Sequence, residues 1–288
     1  MARDERLKVS SGVIRPKKKT FGTPEPRNVI LFIMDSVPEY QFQLAKPNYF
    51  TKLANSFRGF YYDDAWSPCN WTLPAMTSFM TGRLPHSDGS EQVLESDFEM
   101  LDTLKETGYN TYFFTGLGLI DFWGYKDKFT YYKNFFNTHV DKPEMSAQEI
   151  VDDAIKVIKE PYFAVFLMAE THYWFETPFF KMPEDRKMSL GRFFPRKKPT
   201  KEHLQYLLDR QIDSIRYLDN MFEKLHEKLP GDPVVIVTAD HGTVLKDDCD
   251  RYFHAWGNHV DMFNVPLLIY NISMIKRLDP KVLPNGKK

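Results

Sequence analysis

Short apolar runs alternate along the chain with longer amphipathic stretches. Asn28 to Met34, Tyr162 to Met168, Pro233 to Thr238 and Val265 to Tyr270 are almost wholly apolar, and Asn110 to Thr115, after Gly108, reads as a further strand. Runs of this length without polar alternation are the pattern of strands buried on both faces. Between them, apolar residues recur at helical spacing over 47–56, 72–81, 95–107, 146–159 and 201–229, the last with Ile212, Ile215, Leu218 and Phe222 on one face. Gly82 and Gly108 are expected helix stops, and Phe57 to Ala65 reads as extended. Strands alternating with helices predict an α/β fold, a three-layer sandwich with a mostly parallel central sheet flanked by helices. In such sheets the functional groups gather beyond the carboxyl ends of the strands. Residues 1–26 are polar, basic and proline-punctuated and read as a tail, leaving 27–288 as one domain.

The strand ends carry the candidate chemistry. The run Asn28 to Met34 stops at Asp35-Ser36, Tyr162 to Met168 is followed by Glu170-Thr-His172, and Pro233 to Thr238 by Asp240-His241-Gly242. Carboxylates and imidazoles are donors for Zn, Mn, Mg or Ca. A single aspartate after a strand serves equally well as a cap or turn residue. Asp240-His241-Gly242 is more telling, because a glycine behind an apolar strand permits a tight turn that leaves two donors at the strand-end crevice.

The most specific stretch is Ser67-Pro-Cys-Asn-Trp-Thr-Leu-Pro-Ala-Met-Thr-Ser-Phe-Met-Thr-Gly-Arg-Leu-Pro85. It resembles the signature of the alkaline-phosphatase/sulfatase superfamily, in which a nucleophile, a proline two residues on and a Thr-Gly-Arg-x-Pro ending surround a helix start. The resemblance puts the nucleophile at Thr72 and the proline at Pro74, with Cys69 three residues too early. Formylglycine-forming sulfatases have Cys or Ser followed by x-Pro-x-Arg; Thr72 and Met76 stand at those positions, so the resemblance is to the branches that use an unmodified threonine. Thr72 also suits the N-cap of the helix that follows, where the helix N-terminus favours an anion. The similarity runs from Asn28 to Tyr270. Asp35 matches the metal ligand after the first strand, with Ser36 in place of a frequent second aspartate, which argues against a calcium site of the sulfatase kind. Thr238-Ala-Asp-His-Gly242 matches Ser/Thr-x-Asp-His-Gly, while Gly116-Leu-Gly118 stands where sulfatases carry Gly-Lys-x-His. His172 and His254 fall at the spacing of two family histidines, and His259 is a weaker match.

What the resemblance implies is a metal-dependent hydrolase of phosphate mono- or diesters. Thr72, Asp35, Asp240, His241 and His254 are its expected metal ligands, and His172, His254 and Arg83 the groups around the oxyanion and leaving group. Sulfoester hydrolysis without formylglycine and transfer to an alcohol are alternatives. So is a catalytically weak binding protein, suggested because only eighteen residues follow Tyr270, where the family has a helix and a small subdomain. The substrate expected is a small-molecule, glycan or lipid-headgroup ester, with Trp71, Tyr173, Trp174 and Trp256 as possible pocket walls.

Composition narrows the partners. With 38 lysines and arginines against 39 acids, the net charge of -1 gives no reason to expect nucleic acid. The basic clusters Arg15 to Lys19 and Arg196 to Lys198 read as solvated. No window is apolar over the ~20 residues a membrane span needs, and Met1 to Lys19 lacks a secretory apolar stretch, so a cytoplasmic protein is expected, with a homo-oligomer an open option. Two cysteines, Cys69 and Cys249, define no disulfide framework.

Overall fold

A computed structural model describes residues 27–84, 98–136, 146–173, 199–246 and 257–271, together with 175, 177–178, 183, 190–191, 194–195 and 253–254. The expected tail, Cys249, Trp174, Trp256 and the cluster Arg196 to Lys198 lie outside these residues.

The elements in chain order are β1 (Val29–Met34), α1 (Glu39–Ala45), α2 (Asn48–Ala54), β2 (Gly59–Trp66), α3 (Thr72–Thr81), α4 (Glu99–Glu106), β3 (Asn110–Thr115), β4 (Tyr131–Asn134), α5 (Ala147–Val157), β5 (Tyr162–Met168), β6 (Leu190–Gly191), β7 (Phe194–Pro195), α6 (Lys201–Lys228), β8 (Val234–Ala239) and β9 (Asn264–Tyr270). Among the described residues, seven strands form one sheet in the order β2-β9-β8-β1-β5-β3-β4, and β6 pairs with β7. The pairs β8-β1, β1-β5, β5-β3 and β3-β4 are parallel, and β9 runs against both its neighbours. The mostly parallel sheet is as expected, and so are its helix-covered faces.

Alternation along the buried strands divides the core. Ile30, Phe32 and Met34 of β1 and Ala164, Phe166 and Met168 of β5 face α1, α2, α5 and α6. Ile33 of β1 and Phe163, Val165 and Leu167 of β5 face Met76 and Met80 of α3 and Leu101 of α4. Phe32 contacts Phe222 of α6 edge-on at 4.9 Å between ring centroids. Burying such a ring stabilises the fold by roughly 1.5–3 kcal/mol, and Phe32→Ala, which adds a cavity, should cost about 3–5 kcal/mol.

Several short elements were not expected from sequence, the two-residue strands β6 and β7 among them. α1 is a seven-residue helix opened by Pro38, β4 is a four-residue edge strand, and Gly118–Trp123 is a 3-10 helix. α3 ends where predicted, with Gly82 in the left-handed region at φ 67°. No helix among the described residues is long and apolar enough to cross a membrane.

Candidate functional site

Register brings the candidate ligands together. β1 is flanked by β8 and β5, with Met34 opposite both Ala239 and Met168. The three strands therefore end level, and Asp35, Asp240 and the loop to His172 leave the sheet side by side. One further rung, Asp35 N–H to the Met168 carbonyl at 3.0 Å, ties Asp35 to β5.

Asp35, Asp240 and His241 are fully buried. One ligand atom from each lies within 4.8 Å of the others. His241 Nε2 is 3.6 Å from Asp35 Oδ1 and 3.4 Å from Asp240 Oδ2. Its Nδ1 lies 2.9 Å from the Gly242 carbonyl, an acceptor only, which makes Nδ1 the protonated nitrogen and turns the Nε2 lone pair toward the carboxylates. Asp240 Oδ1 accepts from the amides of Ser36 and His241, at 3.1 and 2.8 Å, and Asp35 Oδ1 accepts from Ser36 Oγ at 2.7 Å. The remaining oxygens, Asp35 Oδ2 and Asp240 Oδ2, are buried with no hydrogen-bond partner. Burial, and then the charge of Asp240, push the Asp35 carboxyl well above the usual carboxylate range. Two buried carboxylates with unpartnered oxygens and one inward lone pair suit a divalent cation, and these three residues fit one.

Thr72 is brought to this cluster by loop contacts. Ser67 N–H donates to the Phe263 carbonyl at 2.7 Å, Ser67 Oγ donates to the Asp240 carbonyl, and Asn70 Nδ2 donates to the Gly257 carbonyl at 3.0 Å. Gly242 lets the Val260–Met262 turn pack against the strand end, since a Cβ there would meet the Asp261 carbonyl at 1.8 Å. Thr72 is buried, with Oγ1 3.3 Å from His241 Nε2. The N-cap position is taken by Trp71, and Thr72 is the first helical residue. The amides of the first helical turn have no partners within the helix, and Pro74 has no amide hydrogen to leave unsatisfied. Thr72 therefore stands beside the donors of a helix N-terminus.

The two expected histidines adjoin this group. The ring centroids of His254 and His241 are 4.6 Å apart, and those of His254 and His172 are 5.1 Å apart. His254 Nδ1 is 3.4 Å from Ser36 Oγ, which places His254 next to the three-ligand cluster rather than within it. His172 Nδ1 donates to the Tyr173 carbonyl at 2.9 Å. Close packing, and then the neighbouring His241, lower the His172 pKa to about 4; the same two causes, followed by His172, lower that of His254 well below its usual value. His259 is not part of the group: its Nδ1 accepts from the Asp261 amide at 3.2 Å, capping the short turn Val260–Met262.

Arg83 is exposed and follows Gly82, which ends the ten-residue α3 whose first residue is Thr72. At 1.5 Å per residue the helix puts about 15 Å of rise between its two ends. Ser67 and Ser36 are site residues whose roles were not read from sequence. Both act through backbone as well as hydroxyl groups, for which a serine in a loop gives no distinctive signal.

The profile of the family described as Sulfatase matches residues 27–283. No curated protein matches the sequence. Among solved structures, the C-terminal periplasmic domain of EcEptC from Escherichia coli in complex with zinc superposes with a TM-score of 0.61 at 13% identity, covering 86% of this chain and 73% of that one. The soluble domain of lipooligosaccharide phosphoethanolamine transferase A from Neisseria meningitidis gives a TM-score of 0.60 at 15% identity over 86% and 77%. BT1596, a 2-O GAG sulfatase, gives 0.62 at 15% identity over 85% and 64%.

Proposed function

The chain belongs to the sulfatase family, and from that membership we propose that it cleaves phosphate esters with Thr72 as nucleophile, in a centre where Asp35, Asp240 and His241 hold a divalent cation. The observation that carries this reading is the approach of Thr72 Oγ1 to His241 Nε2 beside two buried carboxylates with unpartnered oxygens. A cation held there supplies the positive charge that lowers the pKa of a bound hydroxyl and offsets charge on a phosphoryl oxygen.

Thr72 Oγ1 bonds to phosphorus as its hydroxyl proton passes to solvent water, the P–O ester bond breaks on the far side with the departing oxygen taking up a proton, and the phosphoryl group is left on Thr72. The amides at the start of α3 hydrogen-bond the phosphoryl oxygens. His172 and His254 enter the cycle as neutral rings, and an anionic ester beside them favours their protonated, donating forms. Water then releases phosphate, or an acceptor alcohol takes it. Phosphate is favoured over sulfate because Thr72 is not a residue that becomes formylglycine. The named phosphoethanolamine transferase and the zinc-bound relative support phosphoryl chemistry with a metal. A glycan or lipid-headgroup ester is the substrate class consistent with those relatives.

The test is metal analysis of the purified protein with turnover of aryl phosphate mono-, di- and sulfate esters. Thr72→Ala should keep the metal and lose about a thousandfold or more of phosphoester turnover. Unchanged turnover would remove Thr72 as nucleophile, and cleavage of the sulfate ester alone would move the assignment to sulfoester hydrolysis.

A further inference from the structure

α6 buries Leu204 and Leu207 against Tyr173, Phe175, Leu245 and Phe253, and Ile215, Leu218 and Phe222 in the core beneath the sheet; with position 211 between them these are spaced at threes and fours. Gln211 occupies the same buried stripe and is fully inaccessible. A leucine or methionine would fill that position without burying polar atoms, so packing alone gives no reason for an amide there.

Its contacts supply a reason. Gln211 Nε2 donates to the Ser36 carbonyl at 2.8 Å and to the Thr171 carbonyl at 3.1 Å. Both partners only accept, so the nitrogen, with its two hydrogens, must face them. Its Oε1 is left buried with no hydrogen-bond partner. Ser36 follows Asp35 and Thr171 precedes His172, so one side chain ties together the segments that leave β1 and β5. Those strands hold each other through the Asp35 amide and no farther, and the Gln211 amide continues the tie. The β1 side needs it, because Ser36 has φ 64°, in the left-handed region disfavoured for any residue with a Cβ.

We propose that Gln211 is a positioning residue that clamps the strand ends bearing Asp35 and His172 at a fixed separation. The proposal rests on the reading of those two residues as parts of the centre. Gln211→Met keeps the volume and removes both donors. It should fold with a somewhat lower Tm, since losing one unpartnered buried carbonyl only partly offsets leaving the Ser36 and Thr171 carbonyls without a donor, while amide hydrogen exchange quickens in 35–38 and 169–173 and not in β3. Zinc affinity, by titration calorimetry, should weaken about tenfold, and kcat should fall by about tenfold with little change in KM.

Unchanged exchange in both segments would overturn the proposal, as would faster exchange with wild-type zinc affinity and kcat. If the wild type binds no zinc and turns over no ester, the reading of the centre fails, and exchange alone still decides whether Gln211 ties the two segments. Gln211→Glu guards against a methionine variant that does not fold. A neutral carboxyl has one donor for two carbonyls, so it should loosen both segments to an intermediate degree, and wild-type exchange there would count against the clamp.

Discussion

The two ends of β1 differ in how their buried polar side chains are partnered. At the amino end, Asn28 Nδ2 donates to Glu160 Oε1 and to the Pro230 carbonyl, and Oδ1 accepts from the Tyr162 amide. Gly231 closes this knot: at φ 76° it suits glycine, and a Cβ there would meet Asn28 Nδ2 at 2.3 Å. At the carboxyl end, Asp35 and Asp240 are just as buried yet each keeps an oxygen without a hydrogen-bond partner. Buried polarity that is fully paired fixes strands in place, whereas buried polarity left open destabilises the chain until something binds it.

The largest effect that would test this contrast is on turnover. Asp240→Asn should cut phosphoester turnover by about a thousandfold or more and abolish tight zinc binding, because it removes a ligand charge; retention of both would place the chemistry elsewhere.

Next comes a stability change of unusual sign. In metal-free protein the folded state holds the Asp35 proton to higher pH than the unfolded chain, whose ordinary value is 3.8. That contribution is complete below this value and is lost as pH rises through the folded-state pKa. Asp35→Asn should therefore be more stable than wild type in chelator at pH 7, by about 1–4 kcal/mol, with the gap closing toward pH 4. Urea unfolding at the two pH values checks it, and a destabilised variant at pH 7 would show that Asp35 is paired after all.

At the other end of the strand, Asn28→Leu should lose about 1–3 kcal/mol in urea unfolding while turnover per folded molecule and zinc affinity stay at wild type. The smallest effect expected is for Arg83→Ala, within about twofold in kcat/KM. A much larger loss would place Arg83 in the chemistry in spite of the helix that separates it from Thr72.

Much of this was legible in the chain because parallel strands leave a strong trace. An apolar run such as Tyr162 to Met168 has one good explanation, and the polar residue that ends such a run marks the rim where ligands gather. The helix start at Thr72 was legible from a dense local motif. Short or peripheral elements were not. β4, with the sequence Tyr-Tyr-Lys-Asn, lies at the sheet edge, is half-buried throughout and shows no alternation. α1 holds only seven residues and buries Glu39 and Gln41 beside Phe42, which blurs its apolar face. In α6 the periodicity pointed to Ile212 as a core position, whereas the buried stripe passes through Gln211 and Ile212 lies at its margin. A polar residue at a core position was the available signal there.

The level ending of β8, β1 and β5 makes cation capture a reporter of correct assembly. A slip of β8 by one residue against β1 would move Asp240 by about 3.3 Å and turn its side chain to the opposite face of the sheet, while leaving a compact, strand-rich molecule behind. Circular dichroism would pass such a conformer, but a zinc titration would not. The fraction of molecules that bind the ion therefore counts those whose strands have found their proper partners.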